Sequence, residues 1–260
     1  MSPTHRDAGE ISGIGRAGVL LNAFQGSTGI LTTRELIERT GLPRSTAHRL
    51  VAELVRCGYL ERDGRALRLG LMFFELGQLV PRPRGLADAA RPYMSDLREA
   101  TRQNVGTAVL VDREVLYVEV LRGKDGPRVP SRIGGRWPAH ASCSGKAILA
   151  FAGADVVEAV VADGLTRLTE NTITEPEALR EELARIRQRG VAYDRQESFP
   201  GVMAVASPVL GPDGEVAGAL SVSGLAGRIN LARVDAAVRA GALAVSRELS
   251  RAHTGLRERR

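Results

Sequence analysis

Two groups of side chains in this sequence have the types and spacing to do chemistry. The first lies between Leu31 and Tyr59, where LTTRELIERTGLPRSTAHRLVAELVRCGY reads as two short helices joined by a tight turn. On a 3.6-residue wheel Ala47, Leu50, Val51 and Leu54 fall on one side of the second helix, and Arg44, Ser45, His48 and Arg49 fall on the other. Guanidinium and hydroxyl groups held that way reach guanine edges and phosphate oxygens when a helix enters a major groove. A solvated polar face on an ordinary helical hairpin would carry the same residues, so the next stretch matters. Tyr59 to Leu69 reads as two strands around Asp63-Gly64, a dipeptide that favours a type I′ hairpin turn. Arg62, Arg65 and Arg68 lie on or beside it, where a wing would meet the sugar-phosphate backbone. Helix, turn, helix and basic wing predict a winged helix-turn-helix. Its expected DNA contacts are Arg44, Ser45, Thr46, His48 and Arg49 on the helix, with Arg62, Arg65 and Arg68 on the wing.

The second group is chemically ambiguous. Cys143, His140 and Asp194 are of the residue types that serve as nucleophile, base and orienter, an arrangement recognised only by geometry. His140, three residues before a helix start, reads more naturally as structural. Ser144-Gly145-Lys146-Ala147 has part of a phosphate-binding loop, but His140 stands where the upstream glycine belongs and Ala147 replaces the magnesium-binding hydroxyl. Ser144, Gly145 and Lys146 instead open a helix, whose free N–H groups and positive dipole end favour a carboxylate or other anion. Ser221 and Ser223 alternate on one face of a strand and can donate hydroxyl hydrogen bonds.

The elements that must hold these residues are readable from their ends. Thr32 and Glu35 have capping-box spacing, Gly41 suits a left-handed helix stop, and Pro43 opens the next helix. Arg16 to Phe24 reads as a supporting helix with Val19, Leu20, Ala23 and Phe24 as its apolar stripe, after a flexible polar tail over residues 1–12. The DNA-binding domain is expected over 13–70. Leu71 to Val80 is densely apolar, with Phe73 and Phe74, and predicts a linker helix that packs partly on a neighbouring subunit. Pro81-Arg82-Pro83-Arg84-Gly85 is expected to break that helix, giving a linker and hinge over 71–85.

Residues 86–260 alternate helices with antiparallel strand pairs. Strands are expected over Val105–Val111 and Val115–Leu121 around Asp112-Arg113-Glu114, and over Val202–Leu210 and Glu215–Ser223 around Pro212-Asp213-Gly214. Helices are expected over Leu86–Gln103, Ser144–Phe151, Asp155–Ala162, Ala178–Arg189 (with Thr174 and Glu177 as a second capping box) and Leu231–Ala252. The fold class is α+β in two domains, with an antiparallel sheet in the second.

At 260 residues the chain is long enough for two cores, and 43% hydrophobic content is that of a soluble globular protein. No apolar run has membrane-spanning length, and MSPTHRDAGE lacks a signal peptide's apolar core, so a cytoplasmic protein is expected. The net charge of +6 suits a polyanionic partner, but Lys124 and Lys146 are the only lysines. Arginine placement therefore says more than arginine number. Cys57 and Cys143 lie far apart, which fits a reducing compartment, and with no Cys/His cluster neither metal nor cofactor is expected.

With these motifs in hand, the chain resembles the IclR family of bacterial transcriptional regulators from about Arg16 to Arg228. The first domain carries GLPRSTAHRLVAEL, GYLER and LRLG. The second carries PAHASCSGKAILA, LTRLTENTITEP and RQRGVAYDRQESFPGVMAVASPVLGPDGEVAGALSVSG. The resemblance implies a winged helix, a linker helix and a GAF-like effector-binding domain, assembled as homodimers or dimers of dimers on a near-palindromic double-stranded operator. It implies a small-molecule effector, an organic acid or catabolite of anionic character, and more often repression than activation. Carried over by motif, the effector site comprises Trp137, Cys143, Ser144, Asp194, Val202, Ala204, Ser221 and Ser223. Two other readings stand beside it: a Cys/His-dependent enzyme, and an architectural DNA-binding protein with a ligand-free sensor domain.

Overall fold

The computed structural model describes residues 12–129 and 131–257. The polar tail expected over 1–12 lies outside the described residues except for Ser12. The chain divides into two compact units, Met1–Val80 and Pro81–Arg260.

In the first unit Ser12 caps α1 (Gly13–Asn22) by accepting from the Gly15 N–H at 3.1 Å. A short strand, β1 (Ile30–Thr32), runs straight into α2 (Thr33–Thr40). The capping box forms: the Glu35 N–H donates to the Thr32 hydroxyl at 3.2 Å, and the Thr32 N–H donates to the Glu35 carboxylate at 2.7 Å. Gly41 then stops α2 at φ 66°, a left-handed conformation that only glycine adopts without a Cβ penalty. α3 (Arg44–Arg56) follows Pro43, and β2 (Leu60–Asp63), β3 (Ala66–Leu69) and α4 (Met72–Gly77) complete the unit.

β1 and β2 both pair antiparallel with β3, giving the order β1-β3-β2. Because Asp63 pairs with Ala66, the turn residues are Gly64 and Arg65, one position later than expected. Of the two only Gly64 has positive φ, the pattern of a type II′ turn rather than I′. Leu20, Leu36, Ala47, Val51 and Leu67 are fully enclosed in one cluster, so the three helices and the sheet share a core.

The second unit opens on α5 (Pro81–Thr101), which runs on through Pro92. The expected break is present, since α4 ends at Gly77 and the two units divide at Val80, but residues 81–85 begin α5 and are not the hinge expected of them. A first-turn N–H has no intrahelical acceptor, so proline's missing N–H costs nothing there and its fixed φ favours the start. Next come β4 (Asn104–Val111), β5 (Glu114–Leu121), β6 (Arg136–Pro138), α6 (Cys143–Leu149), α7 (Ala154–Ala162) and α8 (Pro176–Arg189). β7 (Ala192–Arg195), β8 (Val202–Leu210), β9 (Val216–Leu225) and α9 (Leu231–Arg257) finish the chain.

The six strands form one antiparallel sheet in the order β6-β5-β4-β9-β8-β7. One face packs on α5 and α9 through Leu86, Met94, Leu97, Val238 and Val245. The other packs on α6 and α8 through Ala147, Ile148, Leu179, Leu183 and Ile186. Strands covered on both faces read as apolar runs, which is why β4, β8 and β9 are legible in the sequence. The second capping box does not form. Pro176 starts α8 with Glu175 at the N-cap, so Glu177 falls one position early and pairs with Arg180, while the Thr174 hydroxyl accepts from Arg167 at 3.1 Å.

Candidate nucleic-acid interface and ligand pocket

α3 is held by Ala47, Val51 and Leu54, all buried, with Leu50 half-buried beside them. That fixes the opposite side outward: Arg44, Ser45, His48 and Arg49 are exposed and Thr46 is half-buried. Pro43 contributes no side-chain cap, so the first-turn N–H groups of α3 stay open next to Arg44 and Ser45. Free N–H groups, the positive dipole end and a guanidinium together suit phosphate. The wing arginines Arg62, Arg65 and Arg68 are exposed as well. Among the described residues Arg44, Arg49, Arg62 and Arg65 make no ion pair, whereas Arg68 is bonded to Glu61 at 2.9 Å. Both partners of that pair are exposed, so releasing it to a phosphate costs about 0.2–1 kcal/mol.

In the second unit six of the eight residues expected at the effector site line one pocket: Trp137, Cys143, Asp194, Val202, Ala204 and Ser223. The strand register explains three of them, since Asp194 pairs with Ala204 and Ala204 with Ser223 across β7, β8 and β9. Tyr117, Val129, Ser131, Ser142, Ser198 and Phe199 complete a lining around about 410 Å³ of empty space, open mouth included.

Ser144 and Ser221 do not line the pocket, because Tyr117 covers them. The Tyr117 hydroxyl lies 3.5 Å from the Ser144 hydroxyl, and the Ser221 hydroxyl donates to the Gly106 carbonyl at 3.1 Å. Gly106 makes room for the phenol: a Cβ there would stand 2.9 Å from the ring. Tyr117 was missed in the sequence, although a tyrosine across the hairpin from Gly106 and Ala108 was the available signal. Ser198 and Phe199 lay inside the QESFPG run without a role assigned.

The start of α6, expected to offer Ser144, Gly145 and Lys146 to an anion, has part of those donors already committed. The N–H groups of Cys143 and Ser144 have no acceptor among the described residues, and Ser142 and Cys143 line the pocket. The Gly145 N–H donates to the Ser142 hydroxyl at 3.1 Å, and all seven residues of the helix are buried. Gly145 packs so closely that a Cβ would lie 2.1 Å from the Ala139 carbonyl oxygen. The Lys146 ammonium bonds Glu197, away from the pocket. The lining therefore holds one carboxylate, Asp194, and no lysine or arginine. Asp194 accepts from the Glu197 N–H at 2.6 Å, from the Ser198 N–H at 3.3 Å and from the Ser198 hydroxyl. Burial still dominates and pushes its pKa up to about 6. Burial likewise raises the Cys143 thiol, so the sulfur stays protonated at neutral pH. His140 is lowered by burial and its Nε2 meets the Thr166 carbonyl at 3.0 Å; among the described residues no hydrogen bond joins it to Cys143. A nucleophile and base are not assembled. No group of three or more His, Cys, Asp or Glu among the described residues could hold a metal, and no described helix is long and apolar enough to cross a membrane.

Family comparison settles what an exposed basic helix and a separate pocket belong to. The model of the IclR helix-turn-helix domain matches residues 13–64, and that of the bacterial transcriptional regulator IclR C-terminal domain matches residues 81–251. The chain belongs to the IclR family. It is 35% identical to the HTH-type transcriptional regulator BhcR of Paracoccus denitrificans over 94% of this chain and 88% of that one. It is 30% identical to the transcriptional repressor IclR of Escherichia coli over 96% and 92%. Among solved structures, an IclR homolog from Microbacterium hydrocarbonoxydans complexed with 4-hydroxybenzoate is similar, with a TM-score of 0.85 and 32% identity over 92% of this chain and 99% of that one. As in its family, the two units are a DNA-binding helix-turn-helix domain and an effector-binding α+β domain of a transcriptional regulator.

Proposed function

We propose that this regulator is a cytoplasmic repressor that reads a near-palindromic operator as a homodimer or dimer of dimers and is controlled by a small organic acid. The observation that carries the DNA reading is the outward face of α3, where Arg44, Ser45, His48 and Arg49 stand exposed on a helix fixed from behind by its core. Arg44 and Arg49 read bases or adjacent phosphates, Thr46 supports them, and Arg62, Arg65 and Arg68 anchor the backbone. Self-association is supported by an apolar row on and beside α4, with Leu71 63%, Phe74 65% and Leu79 73% exposed. The sign of regulation is supported by the E. coli repressor among the relatives.

The pocket is the effector site. Its aromatic walls, Tyr117, Trp137 and Phe199, suit a planar ligand, and Asp194 offers an acceptor to a hydroxyl. With no cation in the lining, the acid's carboxylate is met by the hydroxyls of Ser142 and Ser223 and by the open N–H groups at the start of α6. The similar structure that holds 4-hydroxybenzoate supports an aromatic hydroxy acid. Such a ligand alters operator affinity only by binding the DNA-competent and incompetent states unequally. A thermal-shift series with 4-hydroxybenzoate and related acids tests the pocket. A concentration-dependent rise in Tm that disappears in Trp137→Ala supports it, and no rise with any acid of the series counts against it.

A further inference from the structure

We propose that the buried ion pair between Lys146 and Glu197 is a positioning device for the ligand pocket. It fixes the segment that carries Phe199 against the helix that carries Cys143, and so sets the width of the slot between them. This rests on the effector pocket proposed above. Lys146 is 1% exposed, and its ammonium bonds the Glu197 carboxylate across 51 residues of sequence. Burying an ion pair is rarely the most stable arrangement, because well-packed apolar residues of similar volume commonly do as well or better. The geometry supplies a different reason for keeping it.

Glu197 is the most connected residue of the segment between β7 and β8. Its second carboxylate oxygen accepts from the Arg195 N–H at 3.3 Å and its own N–H donates to Asp194 at 2.6 Å. Its carbonyl accepts from the hydroxyls of Thr172 at 2.7 Å and Thr169 at 3.2 Å. Gln196 sits at φ 64° and takes the Gly201 N–H on its side-chain oxygen at 2.9 Å. Residues 195–201 are thus fastened to α6 on one side and to the 169–172 turn on another. Neither Lys146 nor Glu197 lines the pocket, but their neighbours do: Cys143 one turn before Lys146, and Ser198 and Phe199 directly after Glu197. Phe199 in turn meets Trp137 edge to face, with ring centroids 6.4 Å apart. A change at the pair reaches the slot through Phe199.

Trp137 is the only tryptophan, so its emission reports the slot without any effector. The test is acrylamide quenching of the full-length chain carrying Lys146→Met together with Glu197→Gln, which removes both charges and keeps a carbonyl for the Arg195 N–H. With a native circular-dichroism spectrum, the quenching constant roughly doubles as Phe199 leaves the indole. A native spectrum with unchanged quenching would overturn the proposal. Should the double variant not fold, hydrogen exchange on the unaltered chain decides. The amides of Arg195, Glu197 and Ser198 exchange as slowly as those of β8 if the pair holds the segment, and exchange at open-loop rates overturns it. Neither readout uses a ligand, so failure here is distinct from failure of the effector reading, which the thermal-shift series tests.

Discussion

Two helices of this protein begin on opposite terms. α3 starts after Pro43 with no side-chain cap, and Arg44, Ser45, His48 and Arg49 stand in solvent around its first turns. α6 starts with Ser142 capping Gly145, every residue buried, and its one basic side chain committed to Glu197. The backbone dipole is the same in both. What differs is whether the basic side chains beside it are free or already paired. The first helix keeps donors and charge free for a polyanion, whereas the second commits its lysine inside the domain, so its pocket meets a ligand with hydroxyls, aromatic rings, one raised carboxylate and the N–H groups at the helix start rather than with a cationic side chain.

The sharpest way to break that contrast is to free the buried charge. Lys146→Met alone leaves Glu197 buried and unpaired, which should cost about 3–5 kcal/mol. For a domain of this size that lowers Tm by on the order of 10 °C, read by thermal melting, and an unchanged Tm would mean that Glu197 reaches water. The paired change with Glu197→Gln should recover most of the loss.

Asp194 gives the next largest effect. Its folded-state pKa of about 6 lies above the ordinary 3.8, so the folded domain binds that proton more tightly than the unfolded chain does. Its contribution is favourable below pH 4 and is lost as pH rises towards 6, by on the order of 3 kcal/mol. Asp194→Asn should flatten that part of the stability profile. Denaturant unfolding across that window checks this, and a profile that keeps its slope in the variant would assign the proton to another group.

On the exposed helix the effects are smaller. Arg49→Ala should weaken operator binding by about 1–3 kcal/mol if Arg49 reads a guanine, with little change in Tm; unchanged affinity would place it outside the base-reading set. Thr32→Ala removes the capping box of α2 and should cost about 1 kcal/mol of stability in the first unit, read by denaturant unfolding.

The same contrast explains what the sequence disclosed. The DNA-binding unit is built from local signals: Thr32 and Glu35 three residues apart, Gly41 at a helix stop, and Ala47, Val51 and Leu54 on one side of a wheel. Even there the hairpin turn slipped by one position, because Asp63-Gly64 and Gly64-Arg65 are both plausible two-residue turns and pairing decides between them. The pocket draws on β5, β6, α6, β7, β8 and β9, and composition says nothing of how they meet. Family resemblance supplied six lining residues but could not reveal that Tyr117 lies over Ser144 and Ser221, or that Lys146 turns to a glutamate far along the chain. β6 and β7 escaped notice because three and four residues are too few to display an alternation.

The central claim, that the outward face of α3 reads a specific operator, is tested most directly by selecting genomic DNA fragments with the purified full-length protein and repeating the selection with Arg44→Ala and Arg49→Ala. The account predicts a shared near-palindrome for the unaltered protein that degrades in the variants. Fragments without a common sequence, bound with an affinity that follows salt alone, would contradict it.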